Sequence, residues 1–399
     1  MLIKMGDQAK LAQGYLATGV WCGVKKAKKD LALLYSEYPA TAAGVFTKNL
    51  VQGAPVIICR EHLRSGSGRG VVVNSGNANT CTGPQGLADA KEMAGLAAQE
   101  LGVAEEEVFP VSTGVIGVNL PMDKVRAGIT RATAQLAADG LPLAAQAILT
   151  TDLTTKTIAV SFGPNNRYTL TGLAKGSGMI HPNMATLLAF LLTDAPVDHL
   201  VLQDLLRQAV DKTFNMISVD GDTSTNDTVL ALANGAAGGD AITPGSPLYT
   251  EFQEALQVAC LYLAKEIARD GEGASKLITV EVHGAKDQEG ARLAARAIAA
   301  SNLVKTAIYG ADANWGRILC AAGYSGAQFN QEQVKIEIME IPVFAGGEPL
   351  PFDEATIKQR LAGSEVVIRV DLGAGPGTAT AFGCDFTCDY VKINASYRS

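Results

Sequence analysis

The sequence predicts an α/β protein with layered sheets, on three observations. Several runs alternate apolar and polar residues with period two, as half-buried strands do. Others carry an apolar stripe every three to four residues, as amphipathic helices do. Most strand-like runs are separated by a helix-like one, but several recur without one, which reads as a mixed α/β architecture with layered sheets. Strand order is left open. At about 150 residues per domain, 399 residues make two to three domains or one large one.

In chain order, residues 56–59 and 70–74 read as strands, 87–101 and 121–136 as helices, and 157–162 as a strand. Residues 199–212 and 249–269 read as helices. In the second, Phe252, Leu256, Ala259, Leu263 and Ile267 form one stripe. Residues 277–283 alternate: Ile278, Val280 and Val282 face one way, Thr279, Glu281 and His283 the other. Residues 289–304 read as a helix, and 334–339 and 365–372 as further alternating strands.

The net charge of −7 argues against nucleic acid, which selects basic surfaces. With 47% hydrophobic and 18% charged residues, the chain is not of the disordered kind. No run approaches the ~18 apolar residues of a membrane span. The first residues reach Asp7 before any apolar stretch, so no secretory leader is expected. Seven scattered cysteines suit reduced thiols and a cytoplasmic protein better than a disulfide framework.

Common catalytic signatures are missing. There is no H-E-x-x-H and no paired C-x-x-C, so no metal is expected. G-x-S-x-G and S-x-x-K are absent too. The glycine run 373–377 is followed by Thr378 and a strand-like run rather than a helix, so it reads as a turn. The acidic run 220–224 lacks the glycine and glutamate of a calcium loop at Thr225 and Ala231. Lys25, Lys26, Lys28 and Lys29 read as a solvated turn.

What remains is rich in threonine. Thr150-Thr151-Asp152 ends an apolar helix-like run, and 112–117 (STGVIG) sits between predicted elements. From Lys175 a glycine-rich loop runs through Pro182 to Ala185-Thr186 and an apolar stretch. On these residues alone Thr186 is either a helix cap or a nucleophile. A threonine acts as nucleophile when a base sits beside it, and its own α-amine serves if the preceding bond is cut.

These blocks carry a resemblance. Residues 45–49 (VFTKN), 74–79 (NSGNAN), 112–117, 175–186, 220–227 (DGDTSTND), 310–317 (GADANWGR) and 393–399 (INASYRS), in this order, resemble the ornithine acetyltransferase (glutamate N-acetyltransferase) family of arginine biosynthesis over essentially the whole chain. One departure is His181, where the family usually has a small residue.

The resemblance implies a sandwich of two packed mixed sheets flanked by helices, as in self-processing aminopeptidases. It also implies self-cleavage between Ala185 and Thr186, into an alpha chain 1–185 and a beta chain 186–399 that associate, as a heterotetramer of two alpha and two beta chains. Thr186 becomes the nucleophile. Thr113 and Gly114 form the oxyanion hole, where one donor is worth ~10²–10³ in rate. Thr150 or Thr151 (Thr150 is preferred), Lys175, Thr186, Glu272, Asn394 and Ser399 bind substrate. The Glu272 carboxylate would suit a cationic ornithine amine; without the family it reads as a turn residue after a helix.

The implied reaction moves acetyl from N-acetylornithine to glutamate, giving ornithine and N-acetylglutamate, with no cofactor. Whether acetyl-CoA is also a donor stays open. The alternative enzyme is a self-processing aminopeptidase, which passes the acyl group to water; a peptide-amide assay separates the two. A binding protein that only kept the fold would have lost Thr186 or the Thr113–Gly114 pair.

Overall fold

The computed structural model describes residues 1–181 and 187–396. Its strands are β1 (Leu2–Met5), β2 (Tyr15–Val20), β3 (Leu31–Phe46), β4 (Ser67–Asn77), β5 (Val108–Val115), β6 (Lys156–Phe162), β7 (Tyr168–Lys175), β8 (Leu188–Thr193), β9 (Ile217–Ser218), β10 (Thr228–Ala233), β11 (Leu277–Ala285), β12 (Lys335–Ile338), β13 (Ile341–Ala345), β14 (Glu348–Pro349), β15 (Glu365–Asp371) and β16 (Gly377–Cys384). Its helices are α1 (Ala54–His62), α2 (Gly83–Leu101), α3 (Met122–Thr133), α4 (Leu141–Ala147), α5 (His199–Lys212), α6 (Tyr249–Arg269), α7 (Gln288–Ala300), α8 (Asn302–Tyr309), α9 (Trp315–Gly323), α10 (Glu354–Leu361) and α11 (Cys388–Ala395).

The described residues fall into two compact units: 1–176, 187–214 and 223–263, and then 177–181, 215–222 and 264–396. Each holds one mixed sheet, so the α/β class read from the sequence holds.

In the first unit nine strands run β1-β6-β7-β8-β10-β3-β4-β5, with β2 also on β3. The β8–β10 and β4–β5 pairs are parallel and the others antiparallel. Apolar side chains cover both faces at the middle of this sheet. Ala32 and Leu34 of β3, with Val71 and Val73 of β4, join one cluster with Ala144 and Ala147 of α4. Leu31, Leu33 and Val72 join another with Met93 and Ala97 of α2 and Val125 and Ile129 of α3. Burial on both faces explains why Val71-Val72-Val73 is continuously apolar.

In the second unit seven strands run β14-β13-β12-β15-β11-β16-β9, with β11–β15 and β16–β9 parallel. Ile278, Val280 and Val282 are buried with Ala291, Ala294, Ala295 and Ile298 of α7, so the period-two reading of this strand holds. Small side chains let α7 lie close on the sheet. In the 310–317 block, Asn314 caps α9 by accepting the Arg317 N–H at 3.2 Å, and Trp315 stacks on Phe344 with ring centroids 5.0 Å apart.

Two of the predicted elements differ. Residues 56–59 are helix, not strand: Gly53 precedes α1 and Pro55 stands in its first turn, where no N–H is needed. A four-residue apolar run cannot distinguish a buried helix from a strand. The predicted helix 289–304 breaks at Ser301, whose extended backbone (ψ 115°) ends α7 and whose hydroxyl caps α8 through the Val304 N–H. All seven cysteines are free. Among the described residues no helix is long and apolar enough to cross a membrane.

Candidate active site

Ala185, Thr186 and Ser399 lie outside the described residues. The other candidates fall into two groups, one in each unit.

In the first unit, Thr113 and Gly114 stand at the C-terminal end of β5, not in a connection between elements. Pro110 and Gly114 disguise this strand in the sequence. It runs parallel to β4, with Ser75 opposite Thr113 and Gly76 opposite Gly114. Gly114 has φ +136°, and a Cβ there would lie 2.3 Å from the Gly76 carbonyl carbon. Only glycine fits so close an approach in that backbone conformation.

A buried polar web supports the end of this strand. Ser112 Oγ donates to Asn74 Oδ1 at 2.5 Å, and Asn74 Nδ2 donates to the Asn77 carbonyl at 2.8 Å. Asn226 Nδ2 donates to the carbonyls of Ala78 (2.6 Å) and Ser112 (2.9 Å). The hydroxyls of Thr80 and Thr225 both donate to Asn226 Oδ1, each at 2.6 Å. Asn74, Thr80, Thr225 and Asn226 are therefore polar because they satisfy buried polar groups of this strand end and of one another.

Thr150 and Lys175 meet at Asp152, which the sequence reading named but gave no role. Its carboxylate, fully buried, accepts from Lys156 Nζ (2.9 Å), Gly176 N–H (2.7 Å) and Thr150 N–H (3.1 Å), and Lys175 Nζ stands 3.9 Å away. Burial by itself would raise the Asp152 pKa. The Lys175 and Lys156 ammonium groups and the hydrogen bonds outweigh it and hold the carboxyl well below the usual range. Asp152 thus shapes the Thr150 turn and fixes the start of the glycine loop.

Part of the basic run departs from the expected solvated turn. Lys26 and Lys28 are exposed, but Lys25 is half-buried and donates to backbone carbonyls of Lys29 (2.8 Å) and Leu149 (2.6 Å). Nothing local marks the difference, because Leu149 is 124 residues away in sequence.

In the second unit, Glu272 and Asn394 meet: Asn394 Nδ2 donates to Glu272 Oε2 at 2.7 Å. Glu272 is buried, and its N–H donates to the Ser177 carbonyl at 2.9 Å. A Cβ on Gly178 would lie 2.4 Å from the Glu272 carboxyl carbon, so the glycine loop is fitted to this acid. The Tyr390 hydroxyl donates to Asp220 Oδ2 at 3.3 Å, and burial, with Asp220 and Glu272 nearby, pushes its pKa up. Asp220 also accepts the N–H groups of Met179 (2.6 Å) and Ile180 (2.8 Å), which is the actual use of the calcium-like run. Among the described residues no three His, Cys, Asp or Glu side chains form a metal-binding group. His181 lies 3.3 Å from an Arg296 nitrogen through Nε2 and 3.1 Å from Ser218 Oγ through Nδ1. Burial and the Arg296 charge lower its pKa and favour the neutral ring.

The profile of the ArgJ family matches residues 16–399. The arginine biosynthesis bifunctional protein ArgJ of Symbiobacterium thermophilum is 54% identical over 390 residues, 97% of each chain. That of Bacillus subtilis is 46% identical over 400 residues, covering 100% of this chain and 98% of the relative. A crystal structure of the same-named protein from Bacillus halodurans is 53% identical with a TM-score of 0.51, covering 52% of this chain and 98% of the solved one. The chain belongs to the ArgJ family.

Proposed function

We propose that this chain cleaves itself between Ala185 and Thr186 and then carries acetyl from N-acetylornithine to glutamate on the Thr186 hydroxyl. As a member of its family it is a bifunctional transferase of arginine biosynthesis. The observation that carries the finer reading is the Thr113–Gly114 strand end, backed by the family match. A half-buried hydroxyl stands there beside a glycine whose backbone is held against Gly76. Such a donor pair, fixed before the reaction, stabilises a tetrahedral oxyanion with little reorganisation.

Processing begins when the Thr186 hydroxyl attacks the Ala185 carbonyl. The resulting ester is hydrolysed, leaving a carboxylate on Ala185 and a free amine on Thr186. In turnover the amine takes the hydroxyl proton as the oxygen attacks the acetyl carbonyl, and the oxyanion is held by Thr113 and Gly114. Collapse expels ornithine, which receives the proton. Glutamate's α-amine then attacks the acetyl ester by the same route, releasing N-acetylglutamate and restoring the hydroxyl. Lys175 would meet a substrate carboxylate. Glu272, oriented by Asn394, would meet the ornithine side-chain amine, with Ser399 and Thr150 completing the contacts. The first reaction uses no cofactor. The second activity is assigned to acetyl transfer from acetyl-CoA to glutamate, in keeping with the bifunctional name of the relatives.

The solved relative, a chain about half the length of this one, supports the two-chain form. We extend the proposal to a cytoplasmic assembly of two alpha and two beta chains. Its native mass would be about twice the 41.5 kDa of one precursor. The deciding experiment pairs a denaturing gel with an acetyl-transfer assay. Two fragments, the second beginning Thr-Leu-Leu-Ala, and ornithine release matched by N-acetylglutamate are expected. One intact band in active enzyme refutes cleavage, and release of acetate to water in place of N-acetylglutamate refutes transfer.

A further inference from the structure

Lys25 has no part in the chemistry above, yet its place in the first unit is well defined. The loop that carries it hangs on Asp30, a buried carboxylate that accepts N–H bonds from Cys22 (2.6 Å), Gly23 (3.0 Å) and Lys25 (2.8 Å). The Asp30 carbonyl accepts the Ser75 N–H at 2.8 Å, and Ser75 Oγ donates to the Ala147 carbonyl at 2.5 Å. From this loop the Lys25 stem crosses Gly76, where a Cβ would come within 2.9 Å of Lys25 Cγ. Gly76 is the register partner of Gly114. The ammonium group then donates to Leu149, the residue before Thr150.

We propose that Lys25 is a positioning residue for acyl transfer, holding the Gly76–Gly114 strand end and the Leu149–Thr150 turn in one fixed relation. The stem lies over the glycine that backs the proposed oxyanion hole, and the ammonium ties down the proposed substrate turn. Its two carbonyl bonds are charge-assisted and stronger than neutral ones. An error of about 1 Å in such a relation costs on the order of 10²-fold in rate.

Charge enters as well. Asp30, Lys175, Lys28 and Asp152 are the charged groups that act on this ammonium. Burial outweighs the pull of Asp30, and with Lys175 and Lys28 brings its pKa down to about 8. Above that pH it loses a proton and its bonds to the two carbonyls weaken. The free amine of Thr186 acts in the opposite sense, since it serves as a base only when deprotonated. That effect is common to wild type and Lys25 variants, so their ratio isolates Lys25.

The proposal rests on the acyl-transfer reading, and the test separates the two. Mature wild type, Lys25→Met and Lys25→Arg are assayed with N-acetylornithine and glutamate from pH 6 to 10, with thermal melting in parallel. Methionine keeps an apolar stem on Gly76 but loses the donor; arginine keeps both stem and charge. Lys25→Met should lose about 10- to 100-fold in kcat, with each KM changed less than about threefold. Lys25→Arg should recover most of that loss and hold its kcat above pH 8, where that of wild type declines relative to it. A Lys25→Met kcat within about threefold of wild type overturns the proposal. So does a Lys25→Arg to wild-type ratio that stays flat with pH. If Lys25→Met fails to mature or melts early, the Lys25→Arg ratio alone decides. Absence of acetyl transfer in wild type overturns the acyl-transfer reading itself.

Discussion

Thr113 and Gly114 are adjacent, but substitutions should act on them differently. Thr113→Ala removes one hydroxyl from a half-buried strand end and leaves the backbone intact. kcat should fall about 10²- to 10³-fold with a smaller change in KM, measured on mature protein because slow processing is the expected side effect. A fall below about threefold would remove Thr113 from the oxyanion role. Gly114→Ala instead drives a methyl group into the Gly76 backbone, so melting temperature and activity should both drop. Asp152 is a third case. Asp152→Asn removes the carboxylate charge beside the buried Lys156 and Lys175 ammonium groups, a loss of about 3–5 kcal/mol for a broken buried pair. The folded carboxyl has a depressed pKa, so its stabilisation is present above the unfolded value of about 3.9 and is lost as pH falls through the folded one. Denaturant titrations at pH 7 and pH 3 should therefore show a smaller gap between variant and wild type at the lower pH. An equal gap at both would contradict the assignment of charge to Asp152.

At the scale of elements, caps and irregularities decide more than propensity does. Asp198 caps α5 by accepting the N–H groups of Leu200 (2.9 Å) and Val201 (3.2 Å). Asp198→Ala should cost about 1 kcal/mol, read as a small fall in denaturation midpoint with kcat unchanged. The predicted bounds of α5 and α6 coincide with the observed ones, because a strong apolar stripe marks a helix along its whole length. β3 escaped notice although it is 16 residues long. It contains Pro39, which a continuous strand would reject, and its register with β4 shifts between Tyr35 and Ala40 to accommodate it.

For the whole molecule, the two compact units are not the two pieces that cleavage would produce. β8 and β10 follow residue 186, yet both lie inside the first sheet: β8 pairs with β7, and β10 with β3. Cutting at 185–186 would leave these ladders in place, so the pieces should co-elute in native buffer and separate only in denaturant. Thr186→Ala should leave a single inactive precursor. A covalent acetyl-enzyme divides the transfer into half-reactions. Double-reciprocal plots at several glutamate concentrations should then be parallel, and acid quench without glutamate should trap one acetyl group on the Thr186 peptide. Intersecting lines with no trapped acetyl would restrict Thr186 to processing.

The sequence by itself determined the α/β class, four of the five predicted helices, the alternating strands and, through seven ordered blocks, the family. These signals are local: a stripe or an alternation reports which face of a segment is buried, and a motif lies within a dozen residues. The tertiary structure alone decided strand order, the helical state of 56–59, and the use of Asp152 and Lys25. It also showed why Asn74 and Asn226 are polar. For the polar groups the partner that the sequence does not indicate is remote: Asn226 reaches Ala78 across 148 residues, Lys25 reaches Leu149 across 124, and Gly176 reaches Asp152 across 24. A buried polar group must find a partner, but its own sequence neighbourhood does not say which one; only the packed chain brings the two together.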